Sequence, residues 1–182
     1  MLFLTIFITL FFFILLVFVS RKLSPIPYFP SNKKDVPLII KALRLRNNQT
    51  IIDLGSGSGL VIFAAAREAA KRKLTTRFIA VEINPVLVTI IYLRRFLNPN
   101  KKNIKIILAD ILTMDYSQFL IHNSKFITLF LYVSPWFIGQ IVTKAQKELN
   151  KFELISYFYE VRGLKGKKIK GKNKIYLYEI SP

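Results

Sequence analysis

The richest chemistry in the chain lies in Asp53-Leu54-Gly55-Ser56-Gly57-Ser58-Gly59, where an apolar strand at 50–54 gives way to an Ala-rich helix at 60–73. Glycines at such a junction let the backbone turn tightly and approach a ligand without a Cβ in the way. The free amides that open the following helix, at the positive end of its dipole, suit an anionic group such as a carboxylate. A dinucleotide fold would space its glycines G-x-G-x-x-G to seat a pyrophosphate, whereas this loop reads D-x-G-x-G-x-G. Two more acids close the next strands. Glu82 sits in Ala80-Val81-Glu82-Ile83-Asn84-Pro85 and Asp110 in Leu108-Ala109-Asp110-Ile111.

The loop with its acid resembles motif I of the class I methyltransferases that use S-adenosylmethionine (SAM). The resemblance implies an α/β fold, a doubly wound, mostly parallel, Rossmann-like sheet, with SAM as cofactor. It passes Asp53, Gly55, Ser56, Gly57 and Gly59 under the methionine part of SAM. It places Glu82 and Asn84 by the ribose, where a carboxylate can accept two hydroxyl hydrogen bonds in bidentate fashion. Asp110 would hold the adenine amino group while Ile111 packs on the ring.

Two further stretches are similar to the membrane-anchored lysine methyltransferases that modify the ATP synthase c subunit and the adenine nucleotide translocase. Tyr28-Phe29-Pro30-Ser31 looks like their Y-V-P-T-P segment. Leu131-Tyr132-Val133-Ser134-Pro135-Trp136, a helix with Lys144 and Glu148-Leu149, and Leu154-Ile155-Ser156-Tyr157-Phe158 resemble their post-strand loop, "K-x-x-x-E-L" helix and "V-S-x-x-F" strand. Ser58 departs from the acid that many relatives carry there. The resemblance implies a protein substrate with a target lysine, which must arrive deprotonated in line with the methyl group. Tyr132, Pro135, Trp136 and Phe137 are the candidate apolar site that lowers its pKa, with Trp136 also able to hold a methylated ammonium over its ring. No residue is assigned as a general base.

These side chains need a scaffold, and the pattern supplies one. Strands at 50–54, 77–82, 104–109, 126–133, 153–161 and 175–180 alternate with helices at 60–73, 85–97 and 137–149, after a first helix begun by Asp35 as cap and Pro37 in its first turn. Strand 126–133 is almost wholly apolar, so both its faces are covered, as in a parallel sheet between helices. The segment from Arg162 to Lys174, with seven basic residues in thirteen, reads as a mobile loop that could lie on anionic lipid.

Ahead of this domain, at 35–182, come a Pro-rich linker at 21–34 and an apolar run in which Thr5 and Thr9 are the only polar side chains before Ser20. A helix of 19 residues spans about 28 Å, close to a bilayer's hydrocarbon core. Arg21 and Lys22 follow the run, and positive charge stays on the cytoplasmic side, so the expectation is a single-pass transmembrane anchor at 1–20 with a cytoplasmic catalytic domain.

The chain has no cysteine and one histidine, His122, which excludes disulfides, thiolate zinc and a cysteine nucleophile and leaves no metal site. Its net charge of +18 favours polyanions. Nucleic-acid methylation is nonetheless disfavoured: Val133-Ser134-Pro135-Trp136 lacks the Asn and first Pro of the N-P-P-Y found in amino-methylating DNA and RNA enzymes. A methyltransferase of a small lipophilic acceptor, such as a lipid head group or quinone precursor, and an inactive SAM-binding scaffold also fit the sequence.

Overall fold

The computed structural model describes residues 1–20, 23, 28–120 and 124–181. Arg21, Lys22, Pro25, Pro27 and His122 lie outside the described residues, so the expectations placed on them stand as sequence readings.

Seven strands form one sheet in the order β3-β2-β1-β4-β5-β7-β6. They are β1 (Gln49–Leu54), β2 (Arg77–Glu82), β3 (Ile104–Leu108), β4 (Phe126–Leu131), β5 (Phe152–Tyr157), β6 (Lys167–Lys170) and β7 (Lys174–Ile180). The first five are parallel, and β7 runs antiparallel to both β5 and β6. The sheet is therefore mixed, with helices α2 (Val36–Ala42), α3 (Leu60–Lys71), α4 (Pro85–Phe96) and α5 (Pro135–Glu148) around it. An N-terminal helix, α1 (Leu2–Val19), precedes this domain.

Successive strand residues feed two separate cores, because side chains alternate across a sheet. Ile51, Phe78, Ala80 and Phe130 pack with Ile62, Ala65 and Ile91 of α3 and α4 on one face. Ile52, Ile79, Leu129 and Leu131 pack with Ile138, Ile141 and Val142 of α5 on the other. Full burial of each such side chain is worth about 1.5–3 kcal/mol. This two-sided cover is what the unbroken apolar run of β4 implies.

Four expectations need correction, the first being strand five, which ends at Tyr157 and not at 161 because Phe158 turns the chain with φ +75°. The lysine-rich segment is not a mobile loop throughout, since Lys167–Lys170 is strand β6, with Ile169 opposite Ile175 and Lys170 opposite Lys174. Its apolar alternation is hidden because β6 is an edge strand whose lysines stay in water. Helix α5 starts at Pro135, two residues earlier than expected, because proline at the first position is preorganised for a helix. Asp35 precedes α2 but does not cap it.

The Asp35 carboxylate instead holds the turn between β6 and β7. It accepts hydrogen bonds from Lys172 N at 2.7 Å, Asn173 N at 2.9 Å and the Tyr157 hydroxyl at 2.8 Å. Burial pushes this carboxyl up, but the bonds from Tyr157, Lys172 and Asn173 outweigh burial and hold it below its ordinary value. The approach segment, the end of β5 and the last hairpin are thereby joined at one carboxylate. Asp35→Ala should destabilise the domain by roughly 3 kcal/mol, the scale of lost bonds to a buried charge. Because the folded-state pKa is depressed, that stabilisation is fully present above the ordinary carboxylate value and is lost as pH falls below it through the depressed folded-state pKa. Chemical unfolding of variant and parent at neutral and acid pH should give curves that converge on acidification.

Candidate active site

At the carboxyl ends of β1, β2 and β3 a cleft of about 800 Å³, counting the space open to solvent at its mouth, lies over the glycine loop. Ligands in open α/β sheets bind at this edge, where strand order reverses between β1 and β4. The cleft brings together Asp53, Gly55, Ser56, Gly57, Glu82, Asp110, Ile111 and Tyr132. Gly59, Asn84, Pro135, Trp136 and Phe137 lie outside its lining.

The loop is built by backbone bonds and by three side chains, those of Ser56, Glu82 and Arg94. Gly55 N and Ser56 N both donate to Val81 O, at 3.0 and 2.9 Å, which turns the end of β1 across β2. The Ser56 hydroxyl donates to Asp53 O at 2.8 Å. Glu82 Oε2 accepts from Gly57 N at 2.7 Å, while Oε1 accepts from Ile83 N and Asn84 N at 3.0 and 2.9 Å. The Arg94 guanidinium on α4 donates to Ser58 O from the other side.

Gly57 has φ +56°, and a Cβ there would stand 2.5 Å from the ring of Tyr28. The Tyr28 hydroxyl donates to Ser58 Oγ at 3.0 Å, so Tyr28 roofs the loop. Together with Phe29, Pro30 and Ser31 it makes one wall of the cleft. Gly59 serves the fold, as the left-handed residue that starts α3 against Phe63.

Asp53 is only 3% exposed, and no hydrogen bond reaches its carboxylate among the described residues. Burial, and then the nearby Glu82 charge, push it up to about 8. Glu82 is also raised, by burial, against the lowering pull of the Asn84, Gly57 and Ile83 amides. Two buried acids in one cleft make a site that favours a cation.

Further along the rim, Asp110 Oδ1 accepts from Leu112 N at 2.8 Å, and buried Ile111 adds an apolar surface beside it. Asn84 is buried as the cap of α4, its Oδ1 accepting from Val86 N and Leu87 N. Tyr132 lies half-buried with its ring edge-on to Tyr157, centroids 4.8 Å apart. Trp136 is 85% exposed because the early start of α5 carries it out onto the first turn, and Phe137 packs toward the core instead.

Tyr28, Phe29, Val133 and Phe158 are absent from the site residues read from sequence. Phe158 follows β5 with φ +75°, an unusual backbone for a bulky residue, and its ring lies 6.4 Å from Tyr132. Nothing local marks these residues. Tyr28 reaches the loop across 30 positions of chain.

The sheet order, the glycine loop and the acid-lined cleft at the strand ends define a class I SAM-dependent methyltransferase. A family model described as ribosomal RNA adenine dimethylase matches residues 28–155, and the chain belongs to that family of SAM-dependent methyltransferases. A lysine N-methyltransferase of the ATP synthase c-type subunit, from Xenopus laevis, is 26% identical over 130 residues, 71% of this chain and 51% of that protein, so the chain spans about half of that relative's length. A protein-lysine N-methyltransferase of Saccharolobus islandicus (strain REY15A) is 25% identical over 163 residues, 85% of this chain and 94% of that one. An RNA methyltransferase from Salinibacter ruber, solved with S-adenosyl-L-homocysteine, shares the fold with a TM-score of 0.69 at 18% identity, covering 84% of this chain and 94% of that chain. A SAM-dependent O-methyltransferase from Thermotoga maritima aligns with a TM-score of 0.61 at 13% identity, covering 85% and 68%.

SAM carries positive charge, so its binding should draw the proton off Asp53. Affinity should rise with pH toward about 8 and then level off, by at most about tenfold per unit, with proton release detectable by calorimetry in buffers of different ionisation enthalpy. A flat profile would remove Asp53 from the cofactor site. In the ligand-free protein the folded-state pKa lies above the unfolded 3.8, so stability should fall as pH rises from there to about 8. Asp53→Asn should flatten both dependences and raise the melting temperature most at the alkaline end.

Gly57→Val should weaken SAM binding by about tenfold or more, roughly 1.4 kcal/mol. A branched side chain resists φ +56° and displaces the Tyr28 roof. Equilibrium titration with SAM measures this, and unchanged affinity would remove the loop from the cofactor site.

Proposed function

We propose that the protein is a protein-lysine N-methyltransferase held at a membrane by α1, its cytoplasmic catalytic domain acting on a membrane or membrane-adjacent protein. In this reading Asp53, Gly55, Ser56 and Gly57 receive the methionine part of SAM, Glu82 its ribose, and Asp110 with Ile111 its adenine, while Asn84 and Gly59 shape the site from behind. The cleft fits such a cofactor: a buried acid without a hydrogen-bond partner among the described residues meets a cationic group, and Ile111 offers an apolar face. Bound there, SAM supplies a methyl carbon made electrophilic by its sulfonium.

The observation that carries the acceptor assignment is the apolar wall made by Tyr132 and Val133 at the end of β4. An adenine amino group has a delocalised lone pair and needs hydrogen-bond acceptors to become nucleophilic. Val133 offers none in its side chain. A lysine amine needs only to lose its proton, which burial in an apolar slot favours. Tyr132 and Val133 would hold that amine dry and in line while SAM supplied the methyl group, the sulfur keeping the electron pair of the broken C–S bond and the nitrogen losing a proton to water. The slot is Tyr132 with Val133, with Pro135 and Trp136 forming its outer lip, while Phe137 supports it from the core side.

The names of both lysine-modifying relatives support a protein substrate. For the membrane, support comes from α1, whose mean hydropathy is 3.1 and whose Thr5 and Thr9 hydroxyls bond back to Met1 O and Thr5 O, as apolar surroundings require. A second reading, methylation of RNA, is favoured by the family's description and by the net charge of +18. Labelled-methyl transfer from SAM to separated membrane-protein, soluble-protein, lipid and RNA fractions should put the label in membrane protein. Mass spectrometry of that fraction, with and without the gene, should show steps of one, two or three methyl groups on lysine. Label confined to RNA would overturn the lysine assignment.

A further inference from the structure

We propose that the outward face of α4 docks into the interfacial layer of a lipid bilayer, beside the point where α1 enters it. This goes beyond the choice of methyl acceptor and rests only on the reading of α1 as a membrane helix. Helix α4 buries Leu87, Val88 and Ile91 against the sheet, as any crossover helix would. Its other side is also apolar: Leu93 is 64% and Phe96 69% exposed, Leu97 just beyond is 88% exposed, and Ile90 and Tyr92 join them. A helix apolar on all sides belongs in a protein core or in lipid, and no described part of the chain covers this side. The exposed Thr89 on the same helix returns its hydroxyl to Pro85 O at 2.9 Å, which satisfies that polar group within the helix.

Two observations select lipid as the occupant. Helix α1 touches α4, and Val17, near the end of α1, is the buried residue of that helix, so the most apolar segment of the chain lies beside α4. The patch is also rimmed by cations, with Arg95 in the last turn of α4 and Lys101 and Lys102 shortly after it. An apolar stripe with a basic border is the composition of a helix lying in an anionic membrane surface.

This orientation conflicts with docking through the lysines of β6. Helix α4 packs on β3, and β3 and β6 are the two outer strands of the sheet, six strand spacings or roughly 29 Å apart. A bilayer that meets α4 at one edge leaves the β6 hairpin over water.

The absence of cysteine permits a direct test on the full chain, reconstituted in vesicles of phosphatidylcholine and phosphatidylglycerol. Nitroxide labels at Phe7→Cys, Leu93→Cys and Lys170→Cys are compared for collision with oxygen, which concentrates in lipid, and with a water-soluble nickel chelate. The expected result is loss of chelate access and gain of oxygen access at positions 7 and 93, and the reverse at 170. A Leu93 label open to the chelate overturns the proposal, whatever position 7 reports. So does a Leu93 label shielded from both probes, which means that a protein, another copy or a partner, covers α4. A lipid-exposed label at 170 with position 93 in water would assign the membrane face to the lysine hairpin instead.

Discussion

Glu82 accepts three backbone amides, from Gly57, Ile83 and Asn84, and the rest of the site depends on that geometry. The bond to Gly57 ties the glycine loop to the end of the neighbouring strand, while the other two fix the turn from which α4 departs. Burying a carboxylate is costly unless its lone pairs are satisfied, and here the backbone satisfies them. The arrangement places a second acid, Asp53, close enough to feel the Glu82 charge and gives it no cation of its own. The ligand-free cleft therefore holds unfavourable electrostatics that a cationic ligand relieves, a common state for a binding site that trades stability for affinity.

The same reliance on satisfied lone pairs explains the stretches outside the loop that resemble the lysine methyltransferases. Lys144 and Glu148 pair on α5, and the other oxygen of Glu148 accepts from Tyr116 N at 2.7 Å, which draws the segment after β3 onto the helix. Ser156 donates to Tyr159 O at 2.6 Å and shapes the turn that carries Phe158. These motif residues position the walls of the cleft from behind. Tyr157 extends this support, because its hydroxyl donates to Asp35 and accepts from Asn32 N and Asn173 Nδ2, so the segment roofing the cleft is anchored at both ends.

The order of strands and helices was legible because periodicity and punctuation are local. Glycine at 55, 57 and 59, proline at 85, and the apolar run of β4 each report their element through their own dihedral or burial preferences. The acids at the ends of β1, β2 and β3 were legible as a set for the same reason, since strand ends in a parallel sheet converge on one edge. Strand β6 was not, because an exposed edge strand of lysines carries no hydrophobic pattern.

Sequence alone thus determined the glycine loop, its acids and the alternation that brings them to one edge, all properties of residues within a few positions of one another. Tertiary structure decided what each acid does with its lone pairs: Asp35 left its expected helix cap for a hairpin 137 positions away, and Asn84 became a helix cap at the back of the cleft. It also decided that Tyr28 roofs the loop, that Trp136 faces outward, and that the apolar outer side of α4 stays uncovered next to α1. Such outcomes depend on which surfaces meet after the chain folds back on itself, and no local pattern encodes a contact between residues far apart in the chain.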